Sequence, residues 1–142
     1  MVDKCKIKVE FEVSADRICS LLVGVFDLGA SNYWMHDYDF IKADKPDWSW
    51  CESEENLREW SEVSKVYTAV MCGGHYDVVL LNDNEDGPGE TVRVFKKDLL
   101  EGLRIMAAKF PKHFQDIVNE NDDAETSDVY FQCCVLKDVV YG

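Results

Sequence analysis

Residues 6–13, KIKVEFEV, alternate without interruption: Ile7, Val9, Phe11 and Val13 fall on one side of an extended chain, and Lys8, Glu10 and Glu12 on the other. The pattern predicts a strand with one face in water. At Ser14 the period lengthens. Ser14 reads as an N-cap with Asp16 in the first turn, Ile18, Leu21, Leu22, Val25 and Phe26 recur at helical spacing, and Gly29 supplies the stop.

From Ser31 to about Ser64 no period holds. This irregular stretch carries the four tryptophans, Trp34, Trp48, Trp50 and Trp60, together with a dense scatter of acidic side chains, and only Glu54 to Trp60 reads as a short helix. Order returns with VYTAVM (66–71) and YDVVLL (76–81), which read as a hairpin joined across Cys72-Gly73-Gly74-His75, where glycine permits positive φ. A second turn, NDNEDGPGE (82–90), leads into TVRVF (91–95) and completes an antiparallel meander. Leu99, Leu100, Leu103, Ile105 and Met106 then mark a helix starting near Lys97, and Pro111 opens another with Phe114, Ile117 and Val118 on its apolar side. The run VYFQCCVLKDVVY (129–141) is apolar on most faces and predicts a helix buried against the sheet, with a strand as the alternative. The expected fold is a single α+β domain over 1–142. It has a small antiparallel sheet of about three or four strands, a helix after the first strand, and about three C-terminal helices.

Composition narrows the function classes. With 142 residues the chain suits one domain able to bury roughly two thirds of its unfolded surface, so no disulfide staple is needed. The 28 acidic residues against 15 basic ones leave a formal charge of -13, while 46% hydrophobic content is too rich for a disordered chain. That balance argues against direct nucleic-acid binding, because the longest basic cluster is only Lys96-Lys97, and it favours a basic partner surface. The N-terminus shows no basic-then-apolar leader, and no apolar run approaches the length of a membrane span, about 18 residues. The expectation is a cytoplasmic protein with reduced cysteines.

Several constellations could carry chemistry. SNYWMHDYDF (31–40) is the likeliest ligand pocket if one exists: Tyr33, Trp34, His36, Asp37, Tyr38 and Asp39 offer aromatic faces and N/O ligands, although a strand would set Trp34, His36 and Tyr38 apart from the carboxylates. A core-and-edge role suits the same residues. NDNEDG (82–87) begins like a calcium loop but puts Arg93 where the bidentate glutamate belongs. Cys72 and His75 form half a zinc site with no matching half, since Cys133 and Cys134 are adjacent. No Walker-type loop, dinucleotide fingerprint or serine or cysteine nucleophile motif occurs, so neither an enzyme nor a cofactor or metal is expected. The most specific surface feature is the six acids Asp116, Glu120, Asp122, Asp123, Glu125 and Asp128, which lie within thirteen residues that contain no lysine or arginine. Such a run is either a solvated face or an array that replaces phosphates in a partner's nucleic-acid channel.

The stretch DLLEGLRIMAAKFPKHFQDIVNENDDAETSDVYFQCCVLKDVVYG (98–142), together with SNYW at 31–34, resembles a family of small proteins of phage and mobile-element genomes that has no settled activity. The resemblance covers about half the chain and brings no catalytic residues. It implies an accessory protein of a bacterial host's cytoplasm, a setting in which small acidic proteins disable host defences. The leading expectation is therefore a non-enzymatic inhibitor of a host factor, anti-CRISPR or anti-restriction in its sharpest form, acting through an acidic and DNA-mimicking surface. The alternative is a protein that binds or sequesters a small ligand or nucleotide through residues 31–40.

Overall fold

A computed structural model describes residues 4, 5, 7–45, 70–82 and 87–142. The expected α+β class holds: α1 (Ala15–Phe26), β1 (Met35–Ile41), β2 (His75–Leu81), β3 (Pro88–Phe95), α2 (Lys96–Lys109), α3 (Pro111–Val118) and α4 (Ala124–Leu136). The strands form one antiparallel sheet in the order β1-β2-β3.

Ser14 caps α1 as its pattern predicts, its side chain accepting a bond from the Arg17 amide at 3.3 Å. Ile18, Leu21, Leu22 and Val25 are buried along the opposite stripe. Phe26, at the end of that helix, meets Tyr38 of β1, Tyr76 of β2 and Phe131 of α4 with ring centroids 4.4, 4.8 and 5.2 Å away. One aromatic thus ties α1, the inner sheet face and α4 together. α4 is central: Thr126 to Val135 are all buried, so the helix lacks a polar face. Two glycines let its neighbours come close. A Cβ at Gly102 would lie 2.4 Å from Cys134 Sγ and 3.0 Å from the Cys134 amide nitrogen, and one at Gly24 would lie 2.4 Å from Ser127 Oγ.

Three elements differ from the sequence pattern. Residues 7–13 join no sheet among the described residues; the chain there is irregular, with Val13 half-buried, Phe11 edge-on to Phe114 at 5.7 Å between centroids, and Val9 and Ile7 exposed. The first helix consequently precedes the first strand. That first strand, β1, comes from the stretch that shows no period. A bulge at His36 explains both its strand character and its disguise, since Met35 pairs with Leu80 and Asp37 with Val79, leaving His36 as the extra residue. With His36 skipped, Met35, Tyr38 and Phe40 alternate with Asp37 and Asp39. Finally, Val70 and Met71, the last two residues of the predicted 66–71 strand, are helical and buried, and β2 pairs with β1 and β3. Residues 66–69 of that strand, the predicted helix at 54–60 and three of the tryptophans lie outside the described residues. The helix read over 129–141 runs from Ala124 to Leu136 and ends on Lys137 in the left-handed region, φ 63°.

Candidate functional site

The candidate residues divide among three places. The first is a buried hub on α4. Asp128, only 7% exposed, accepts bonds through Oδ1 from Ser31 Oγ at 2.8 Å and Trp34 Nε1 at 2.7 Å, and through Oδ2 from the Tyr33 hydroxyl at 2.5 Å and Gln132 Nε2 at 3.1 Å. A carboxylate has about four lone-pair positions, so this one is saturated by neutral donors. Gln132, one helical turn on and fully buried, extends the network: its Oε1 accepts from the Val140 and Tyr141 amides at 2.9 Å each, and its Nε2 also donates to the Tyr141 carbonyl at 3.1 Å. Trp34 is closed off by Tyr141, stacked at 5.9 Å with an interplanar angle of 3°, and by Phe131. Burial pushes the Tyr33 phenol up to about 12, and the hydrogen bond and charge of Asp128 push the same way.

This corrects two expectations. Asp128 belongs to no acidic surface among the described residues, because its carboxylate fastens the 31–34 turn to α4, while Gln132 beside it holds Val140 and Tyr141. Trp34, 1% exposed, offers no face to a ligand. Sequence inspection missed Ser31, Gln132 and Tyr141 as partners. The available signal was Asp128 and Gln132 at i,i+4 flanking and interrupting the apolar run that begins at Val129, a spacing that puts two polar side chains on one buried face.

The second place is the loop between α3 and α4. Asp122, whose side chain is 10% exposed, accepts a 2.8 Å bond from Arg17 Nη1, and Glu120 meets Arg17 Nη2 at 3.2 Å, so one cation of α1 fastens this loop. Asp123 caps α4, accepting from the Thr126 amide at 3.0 Å and its hydroxyl at 3.1 Å; the amide bond leads the effects that hold its carboxyl below the usual range. Asp116 is half-buried, Glu125 is exposed, and neither has an ion-pair partner among the described residues. Of the six acids read as one surface array, one is buried, two hold Arg17 and one is a cap.

The third place is the outer sheet face. The His36 bulge leaves Asp37 and Asp39 exposed beside Val79 and Asp77, their register partners on β2. Among the described residues each bonds only the next residue's amide, Tyr38 at 2.8 Å and Phe40 at 2.9 Å. Asp77 is neutralised from the other side by Arg93, its β3 register partner, at 2.8 and 3.3 Å, and that bond is the main reason its carboxyl lies below the usual range. His75 Nε2 is buried without a hydrogen-bond partner among the described residues, 3.9 Å from Asp77 Oδ1. His36 and Tyr38 are also exposed, but Tyr38 points inward to Phe26. The aromatic and acidic members of residues 31–40 are thus drawn apart, Tyr33 and Trp34 to the hub and Asp37 and Asp39 to the sheet face.

Among the described residues no group of three or more His, Cys, Asp or Glu side chains is placed to hold a metal ion, and no helix is long and apolar enough to cross a membrane. The middle of the NDNEDG turn, 83–86, lies outside the described residues. Among the described residues Cys5, Cys19, Cys72, Cys133 and Cys134 take part in no disulfide. Comparison with protein-family models, with curated proteins and with solved structures found no match.

Proposed function

We propose that the chain is a binding protein without catalytic activity, of phage type, that inhibits a host factor in the bacterial cytoplasm through an acidic surface. An anti-CRISPR or anti-restriction role is its sharpest form. The observation that carries the reading is a set of carboxylates without a cation among the described residues: Asp37 and Asp39 on the outer sheet face, and Asp116 and Glu125 flanking the α3–α4 loop. A chain of formal charge -13 that leaves such groups without a cation among the described residues presents a field suited to a basic surface, and exposed carboxylates such as Asp37, Asp39 and Glu125 can stand where a partner's nucleic-acid phosphates would. Glu120 and Asp123 add charge to the same loop while holding their structural partners.

A small-ligand site on residues 31–40 has less support, because Trp34 is enclosed and Tyr33 is committed to Asp128. The test is affinity capture from bacterial lysate at low and high salt, with the retained proteins identified by mass spectrometry. The reading expects a stoichiometric nucleic-acid-handling protein released by salt and lost when Asp37, Asp39, Asp116 and Glu125 are changed to their amides. Capture unaffected by those changes would overturn it.

A further inference from the structure

The segment Ile7 to Val13 holds a contradiction between local pattern and surroundings. Its alternation is the cleanest strand signal in the chain, yet it joins no ladder and takes part in no backbone hydrogen bond among the described residues. Its apolar row peels away from the body. Val13 is half-buried, Phe11 is 54% exposed against Phe114, Val9 is 63% exposed and Ile7 77%. Beneath it, Val9, Phe11 and Val13 line one wall of a cavity of about 320 Å³ whose other side is Ile18, Leu103 and Phe114. A row of unpaired amides and carbonyls beside a half-covered apolar face is a template for strand addition.

The charges identify the occupant. In an antiparallel pair of identical strands, registers that put apolar residues opposite apolar ones are those centred on a residue. Centring on Lys8 places Lys8 opposite Lys8; centring on Glu10 places Glu10 opposite Glu10; centring on Phe11 places Glu10 opposite Glu12. Centring on Val9 alone sets Lys8 opposite Glu10 twice, once on each side of the axis, with Ile7 opposite Phe11. In sequence the same antisymmetry runs on to Lys6 and Glu12. We propose that residues 7–13 pair antiparallel with the same segment of a second copy, in the register centred on Val9. The odd-numbered side chains of both strands then share one face, and Ile7 of the second copy lies beside Phe11 at the mouth of the cavity. A lone two-stranded ribbon is marginal in water, so packing on the helices is part of the reason the pair is stable.

Sedimentation equilibrium of the full chain over a range of concentrations tests this. Salt of about 0.15 M is needed so that the long-range repulsion between two chains of charge -13 is screened beyond about 8 Å. The expected result is a dimer whose dissociation constant rises roughly tenfold in K8E and in E10K alike, since each creates two like-charge pairs, and returns toward the original in the K8E/E10K double variant. An effect of net charge alone would instead make K8E weaker and E10K tighter. Both residues are exposed, so far-UV circular dichroism should show the fold intact in all variants. In a Cys5→Ser background, Val9→Cys should form an intermolecular disulfide under mild oxidation. A chain that stays monomeric, or a dimer indifferent to both single reversals, overturns the proposal and leaves the strand to a segment of another protein.

Discussion

The α3–α4 loop and the outer sheet face carry the same kind of side chain and use it in opposite ways. In and after the loop, Asp122 and Glu120 hold Arg17, Asp123 caps α4 and Asp128 anchors the 31–34 turn, so most of the charge is spent internally. On the sheet, Asp37 and Asp39 bond only their neighbouring amides among the described residues, and no cation there takes up their charge. A dense run of carboxylates is therefore poor evidence of a functional surface until their partners are known. A sparse pair can be the freer one.

The largest effect that would sharpen this contrast is expected at Asp128. Asp128→Ala leaves the buried Trp34 indole and Ser31 hydroxyl without their acceptor and removes that of the half-exposed Tyr33 hydroxyl, a loss of about 3 kcal/mol. A fall in the urea midpoint at unchanged slope would measure it; an unchanged midpoint would return Asp128 to the surface set. Arg17→Met comes next. It strands the nearly buried Asp122 and frees Glu120, for about 1–2 kcal/mol, read in the same way.

Two pH effects follow. Burial opposes ionisation of Asp98, but the 2.8 Å bonds from Lys137 and from the Phe95 amide outweigh it and leave its carboxyl below the usual range. With the folded value depressed, its contribution is complete above the unfolded carboxylate pKa of about 4 and is lost as pH falls through the folded value. Lys137→Met should flatten that acid limb of the stability profile. The sign is opposite for Tyr33, whose folded value is raised to about 12. Its contribution is complete below the unfolded tyrosine pKa of about 10 and disappears as pH rises toward the folded one, and Tyr33→Phe should abolish this alkaline step. The smallest stability effect belongs to the sheet face, where Asp37→Asn with Asp39→Asn should change stability by no more than about 0.5 kcal/mol. A larger loss would mean that these carboxylates, too, are structural.

Helices were legible where their signals are local. Ser14 caps α1, Pro111 opens α3, and the apolar stripes of α1 and α2 fall where their 3.6 period puts them. The sheet was less so, because strand membership depends on a distant partner. Residues 7–13 have the pattern without a partner among the described residues, whereas β1 has the partner and hides its pattern behind the single extra residue His36. The candidate site was half legible. The acids and aromatics were conspicuous in sequence, but which of them were already engaged depended on contacts about a hundred residues apart, such as Arg17 with Asp122 and Trp34 with Asp128.

The central claim, that the free carboxylates rather than the spent ones meet a basic partner, is tested most directly by capture from bacterial lysate at two salt concentrations. Wild type would be compared with the Asp37→Asn/Asp39→Asn/Asp116→Asn/Glu125→Gln variant. The account predicts a protein retained by wild type, released by salt and absent from the variant's eluate. Equal recovery on both would contradict it.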